Sequence, residues 1–339
     1  MRNAGRYDTL KPMQISSWQS QLQDSIKEPV VLLEQLELSA AEFSLANHSL
    51  ATFPVRVPLP YLGKIRSGDP GDPLLRQVLP VSDEDLDKDG YTSDPLAELD
   101  RLAVPGVLHK YYGRVLLITT GACAIHCRYC FRRHFPYAEN HSAITNWSPA
   151  MDYISTDPGI TEVILSGGDP LMLADSKLNN LVGRLGEIKH LKRLRIHTRM
   201  PSVLPDRITN SLLGILTAAR LDTVIVSHSN HPNEIDAGTE AAFNQIRTAG
   251  ITLLNQAVLL KGINDKPSIL AELFERLFTC GVLPYYLHMP DKVAGTGHYD
   301  VAQETALSIM EELRKILPGY LVPRLVREMP GAPYKIPVA

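Results

Sequence analysis

The chain has 339 residues, enough for two domains or one large domain with appendages, and ample for a full hydrophobic core. Hydrophobic residues at 44% and charged residues at 21% are ordinary for a soluble globular protein, and a net charge of -3 gives no reason to expect a polyanion such as nucleic acid as a direct partner. No stretch approaches membrane-spanning length, MRNAGRYDTLKPMQ at the N-terminus holds no apolar run suited to a signal peptide, and four cysteines with three clustered do not make a disulfide framework, so the expectation is a reducing cytoplasm with no membrane attachment.

Residues 1–105 read as a mainly helical, irregular extension that wraps a core rather than folding alone. Helical spacing runs over 16–26 and 29–36, and Ser39-Ala-Ala-Glu has the form of a capping box. Proline-punctuated connections follow, FPVRVPLPYLG and DPGDPLLRQVLP. Asp85-Leu-Asp87-Lys-Asp89-Gly90 begins like a calcium-binding loop, but the twelfth position holds Leu96 where a bidentate glutamate is required, which leaves an acidic solvated turn.

From Arg114 the pattern becomes regular. Strands are expected at 115–119, 162–166, 194–198, 223–227, 252–258 and 283–288, with helices near 149–156, 176–188, 205–219, 234–249, 269–280 and 302–317. Alternating strand and helix implies a parallel sheet with right-handed crossovers. Six units fall short of the eight that close a TIM barrel, so an open six-unit barrel is the natural arrangement, with a doubly wound sheet as the alternative.

Polar residues and glycines gather where these strands end. The first end carries Cys123, Cys127 and Cys130 in the spacing C-x3-C-x2-C, and the second carries Ser166-Gly167-Gly168-Asp169-Pro170. The third gives His197-Thr-Arg199, the fourth His228 and His231, the fifth Asn255-Gln256, and the sixth His288 and Asp291. Three thiolates on one loop suit an iron–sulfur cluster with one iron left open, whereas zinc would need a fourth ligand that no second pair supplies. The glycines would let a ligand reach strand-edge backbone. His231-Pro-Asn-Glu234 reads as a turn and helix start, and Cys280 as a buried small hydrophobe.

These residues match a known pattern. CAIHCRYC resembles the cluster signature of the radical S-adenosylmethionine (SAM) superfamily, and Gly167-Gly168-Asp169 resembles its methionine-binding glycine motif. CRYCFRRHF, SGGDPL, HTRMPSVLPDRI, SHSNHPNE, NQAVLLKGIND, YYLHMPDKVAGTGHY and a terminal G-x-x-x-K-I-P resemble the lysine 2,3-aminomutase family, in order, over residues 106–339. GDPGDPLLRQVLP is similar to the bacterial branch that makes (R)-β-lysine for modifying elongation factor P.

The resemblance implies an open partial TIM-type (βα)6 barrel over 106–330, an extension over 1–105, and a tail, 331–339, that carries a pyridoxal 5′-phosphate (PLP) lysine. It implies a 4Fe–4S cluster on Cys123, Cys127 and Cys130, and SAM lined by Gly167, Gly168, Asp169, His228 and Gln256. PLP would sit as a Schiff base on Lys335, its phosphate held by Arg114 and Lys110. Arg132 matches the arginine that binds the substrate carboxylate, where a planar fork suits bidentate pairing. Asp291 and Glu328 match the two acids that hold the substrate ammonium; the family has aspartate at the second, so Glu328 departs by one methylene. A further departure is that the longer aminomutases continue beyond the four residues that follow Lys335. The implied activity is a radical SAM, PLP-dependent isomerase acting on L-lysine, with an electron donor for the cluster and a functional link to a lysyl-tRNA-synthetase-like ligase and elongation factor P. Arginine or protein-bound lysine as substrate remain alternatives, as does a non-catalytic iron–sulfur protein; Arg132 speaks against a protein-bound lysine, which has no free α-carboxylate.

Overall fold

The structure, a computed structural model, describes residues 17–137 and 146–339. Ser16 of the first expected helix and the MRNAGRYDTLKPMQ segment lie outside the described residues. The extension is built from short helices α1 (Trp18–Gln23), α2 (Pro29–Gln35), α3 (His48–Thr52) and α4 (Leu59–Leu62), joined by proline-bounded turns. Ser17 caps α1 by accepting the Ser20 amide. The expected capping box at Ser39 is absent: Ala40–Glu42 forms a single 3₁₀ turn that Ser39 does not cap with its side chain. Length is not the obstacle, since the three-residue turn Pro232–Glu234 does carry a reciprocal cap between His231 and Glu234. Asp85 instead ends another 3₁₀ turn and accepts the backbone amides of Asn47, His48 and Ser49, capping α3 from a distance of 36–38 residues in sequence.

Among the described residues, ten strands follow in one sheet whose spatial order is the chain order. β1 (Leu102–Val104) and β2 (Val107–Tyr111) form an antiparallel edge leading into β3 (Arg114–Thr120). β3, β4 (Glu162–Gly167), β5 (Arg193–Thr198), β6 (Asp222–Ser227), β7 (Thr252–Val258), β8 (Leu283–His288) and β9 (Arg324–Arg327) are all parallel, and β10 (Ile336–Pro337) closes on β9 antiparallel. Helices α5 (Ser148–Thr156), α6 (Asp175–Glu187), α7 (Met200–Val203), α8 (Asn210–Ala218), α9 (Ala237–Thr248), α10 (Pro267–Thr279) and α11 (Gln303–Ile316) fill the crossovers. The order never reverses, so right-handed crossovers place every helix on one face, which curls the sheet into an open barrel and rules out the doubly wound alternative. Four strands, β1, β2, β9 and β10, go beyond the six expected; β1, β9 and β10 have four residues or fewer, too short for alternation to register, and β2 reads Val-Leu-His-Lys-Tyr, which does not alternate.

Two expected helices begin later than their periodicity suggests. Pro205–Arg207 is a separate 3₁₀ turn, and α8 starts only after Thr209, whose hydroxyl accepts the Leu212 amide. Likewise α9 starts after Asp236, which accepts the Thr239 amide, with Pro232–Glu234 a turn before it.

Alternation along the strands divides the sheet's two faces. Val115, Leu117, Val163, Leu165, Leu194, Ile196, Leu253, Ala257 and Leu287 are buried under the helices, each large side chain contributing about 1.5–3 kcal/mol on burial. Arg114, Leu116, Ile164, Ser166, Arg195, His197, Gln256, Tyr286 and His288 line the opposite, concave face. The helix-side cluster runs without interruption from Trp18 to Leu325, so the extension shares its core with the barrel.

Candidate functional site

The cysteine loop leaves β3 and is anchored by the extension before any metal is considered. Arg128, between the second and third cysteines, is fully buried; its Nε and Nη2 donate to Glu84 at 2.8 and 2.5 Å, and its Nη1 to the Phe53 carbonyl at 2.6 Å. Arg133 donates to the same Glu84 carboxylate at 2.6 Å. Backbone bonds tie His126 to Arg56 and Arg128 to Gln77, and the His126 ring meets the Pro54 carbonyl at 2.8 Å. Cys123, Cys127 and Cys130 are free, half-buried and line one cleft. Burial, followed by the neighbouring sulfurs, pushes Cys130 up to about 11 and Cys123 well above the ordinary thiol range. A bound cationic centre reverses that, since coordination deprotonates a thiol outright. Among the described residues no three His, Cys, Asp or Glu converge on one ion. A cluster makes no such demand, because its cysteines ligate different irons.

The glycines serve the loop more directly than expected. Gly167 has φ +113°, and a Cβ on it would lie 2.6 Å from the Thr120 carbonyl; one on Gly168 would lie 2.3 Å from that of Ala122. Their bareness therefore lets the end of β4 pack on the backbone of the cysteine loop, where Gly168 and Asp169 amides donate to Thr120 and Ala122. Asp169 is buried and accepts from the Leu171 amide, the Thr198 hydroxyl and the Arg199 amide, so both its oxygens tie β4 to β5. Burial outweighs these bonds and raises its pKa.

Three histidines cross the middle of the cleft. Gln256 Nε2 lies 2.6 Å from His228 Nε2 and 3.5 Å from His197 Nδ1. Burial, then Arg199, Lys335 and Arg132, lowers His228 to about 3, so its ring is neutral at pH 7. His197 and His288 are held well below the usual range, chiefly by burial, and the Nε2 of each is buried without a protein partner. Unpartnered nitrogens facing a cleft fit a bound polar ligand, since leaving them dry costs about 1–3 kcal/mol each.

The far end holds a chain of alternating charge. Lys335 Nζ lies 2.5 Å from Glu328 Oε2, Lys110 lies 2.8 Å from Glu328 Oε1 and 2.9 Å from Glu98 Oε1. Arg132 gives Nε and Nη2 to Glu98 at 2.7 and 2.8 Å and Nη1 to Ser166 at 3.0 Å. β10 pairs Ile336 with Arg327, and that register carried one residue back sets Lys335 opposite Glu328. Burial raises the Glu328 pKa, but Lys335 and Lys110 more than offset it and hold the carboxyl well below the usual range. Asp291, beside them, is pushed up to about 7 by burial and then by Glu328. Arg114 also lines this end, its guanidinium 4.9 Å from the Tyr111 ring centre.

The structure thus gathers all the sequence-selected residues, Cys123, Cys127, Cys130, Gly167, Gly168, Asp169, His228, Gln256, Lys110, Arg114, Arg132, Asp291, Glu328 and Lys335, around one cleft. It adds three that had no assigned role. Glu98, from the extension, is the counter-ion of Arg132; Arg199 donates to Cys127 Sγ at 2.8 Å; Arg195 faces the cleft paired with Glu162 at 2.8 Å. Arg199 and Arg195 sit in strand-end and strand positions of the right parity, which is a readable signal. Glu98 carries none, since its partner lies 34 residues on.

Residues 112–198 match the family described as a 4Fe-4S single cluster domain. The L-lysine 2,3-aminomutase of Escherichia coli (strain K12) is 46% identical over 331 residues, covering 97% of this chain and 96% of that one. That of Haemophilus influenzae is 46% identical over 319 residues, covering 94% of each. The L-lysine 2,3-aminomutase of Clostridium subterminale is 34% identical over 337 residues, covering 98% of this chain and 81% of the relative.

Proposed function

This chain belongs to the lysine 2,3-aminomutase family, isomerases of the radical SAM type that work with a 4Fe–4S cluster, SAM and PLP, and on that premise we propose that it converts L-lysine to (R)-β-lysine. The observation that carries the proposal is a single cleft with free thiols at one end and a desolvated carboxylate beside a half-buried lysine–glutamate pair at the other. Bound there, the cluster and SAM would supply hydrogen abstraction at the substrate β-carbon, and PLP a carrier for the migrating amino group.

The chain's own residues then divide the work. Cys123, Cys127 and Cys130 would hold the cluster on a loop fixed by Arg128 and Glu84. Gly167 and Gly168 bring β4 against that loop, and Asp169, His228 and Gln256 line the SAM side, with the neutral His228 ring able to accept or donate one hydrogen bond. Lys335 would hold PLP, and Glu328, whose two carboxylate oxygens are shared between Lys335 and Lys110, would pair with the Lys335 ammonium whenever the lysine is free. Lys110 and Arg114 line the same cleft and would take the phosphate. Glu98 occupies one edge of the Arg132 fork, so the substrate carboxylate meets the Nη1–Nη2 end. Asp291 takes the substrate side-chain ammonium; a cation there favours its charged form. GDPGDPLLRQVLP supports the branch that feeds β-lysylation of elongation factor P through a lysyl-tRNA-synthetase-like ligase.

The test is an anaerobic assay of the reconstituted protein with SAM, PLP, reductant and L-lysine, read by chiral analysis of the product. (R)-β-lysine, lost in Cys127→Ala and in Lys335→Ala, is the expected result. Full turnover in either variant, or a preference for L-arginine, would sink the assignment.

A further inference from the structure

Arg199 has no place in the substrate or cofactor contacts above, yet it is buried and bonded on every side. Its Nη1 reaches Cys127 Sγ at 2.8 Å, its Nη2 the Glu234 carboxylate at 2.7 Å and Gln77 Oε1 at 3.4 Å, and its Nε the His228 carbonyl at 3.2 Å. Tyr61 and Tyr129 flank the guanidinium, each ring centre 5.7 Å away. The counter-ion is equally fixed. Glu234 is fully buried, and its other oxygen accepts the amides of Asn230 and His231 and the Gln77 side chain.

A permanent cation has therefore been placed in the interior with one donor on a cluster-ligand sulfur. Reduction of a 4Fe–4S cluster by one electron adds one negative charge. A cation hydrogen-bonded to a ligand sulfur stabilises the reduced form more than the oxidised one, and hydrogen bonds to the sulfurs are a recognised determinant of cluster potential. Low dielectric around the pair enlarges the effect. Glu234 acts in the opposite sense, since its charge partly cancels that of Arg199 at the cluster.

We propose that Arg199 is a positioning residue for the cluster: its Cys127 hydrogen bond raises the reduction potential, and Glu234 sets how far. This rests on the reading of Cys123, Cys127 and Cys130 as cluster ligands.

The test is a redox titration of the reconstituted protein followed by electron paramagnetic resonance, without substrate and independent of turnover. At the potential where the wild-type cluster is half reduced, Arg199→Gln is expected to show about a tenfold lower ratio of reduced to oxidised cluster, a shift of about 59 mV for one electron. Glu234→Gln, which keeps an acceptor for the Asn230 and His231 amides but loses the charge, is expected to shift the ratio the other way. A mainly structural role for the pair predicts no such opposition of sign. If Arg199→Gln retains no iron, Glu234→Gln carries the test alone, with Arg199→Lys expected to stay within threefold of wild type. Unchanged ratios, or both neutral variants moving the same way, would overturn the proposal. A wild-type chain that takes up no cluster at all would overturn the ligand reading with it.

Discussion

Replacing Asp291 by asparagine probes the electrostatics of the cleft without any ligand present. Burial and then Glu328 push its carboxyl from 3.8 to about 7 against the pull of Lys335 and Lys110. The folded pKa lies above the unfolded one, so the associated stability is full below about pH 4 and is lost as pH rises through about 7. At about 1.36 kcal/mol per pKa unit, the ionised carboxylate costs the fold about 4 kcal/mol at pH 8 and between about 1 and 2 at pH 5. Asparagine is neutral at both. The variant should therefore gain about 3 kcal/mol relative to wild type between pH 5 and pH 8. With an unfolding entropy near 0.7 kcal/mol/K for 339 residues, that is a relative rise in Tm of about 4 °C, read by calorimetry of the ligand-free protein. A Tm difference that stays constant from pH 5 to pH 8 would refute the reasoning. A cation brought beside Asp291 would relieve the cost that its ionised carboxylate carries.

Two further substitutions address the cysteine loop. Glu84→Gln leaves Arg128 and Arg133 buried without their counter-charge, which should cost about 3–5 kcal/mol and lower Tm by about 4–7 °C, with faster iron loss on chelator challenge. An unchanged melt would mean that the clamp contributes nothing. Gly168→Ala forces a methyl to 2.3 Å from the Ala122 carbonyl and should cost at least about 1–3 kcal/mol while abolishing cluster uptake. Gly183→Ala in α6, with open space around the new methyl, is the control and should be neutral or stabilising by up to about 1 kcal/mol; equal losses in both would refute the packing argument.

The six central strands were legible because each presents alternation or a β-branched run, and β7 and β8 match their expected limits. The cleft was legible because polar residues and glycines sit where a parallel barrel exposes its strand ends. What could not be read depends on distance in sequence. The Glu84 clamp joins residues 44 and 49 apart, and Lys335 meets Glu328 through a two-residue strand too short to show periodicity. The motif Gly167-Gly168 was recognisable, but the reason for it was not, since only the fold brings Thr120 and Ala122 beneath it. Arg132 shows a similar gap: the fork was visible, and the Glu98 that occupies one edge was not.

The two-residue beat of the barrel strands carries a consequence for how this protein tolerates change. Along β3, β4, β5, β7 and β8, neighbours in sequence answer to different masters: one to the leucine-rich layer beneath the helices, the next to the cleft. A saturation scan of these strands should split by parity. Substitutions at Val115, Leu117, Val163, Leu165, Leu194 and Ile196 would surface as lost abundance, and those at Ile164, Ser166, Arg195, His197, Gln256 and His288 as normal abundance with lost chemistry. A single-residue insertion in any of these strands would exchange the two sets at once, because a slip of one residue turns every side chain to the other face. Such a lineage would be expected to confine length changes to its loops, and in these strands to accept only replacements that suit the face they occupy.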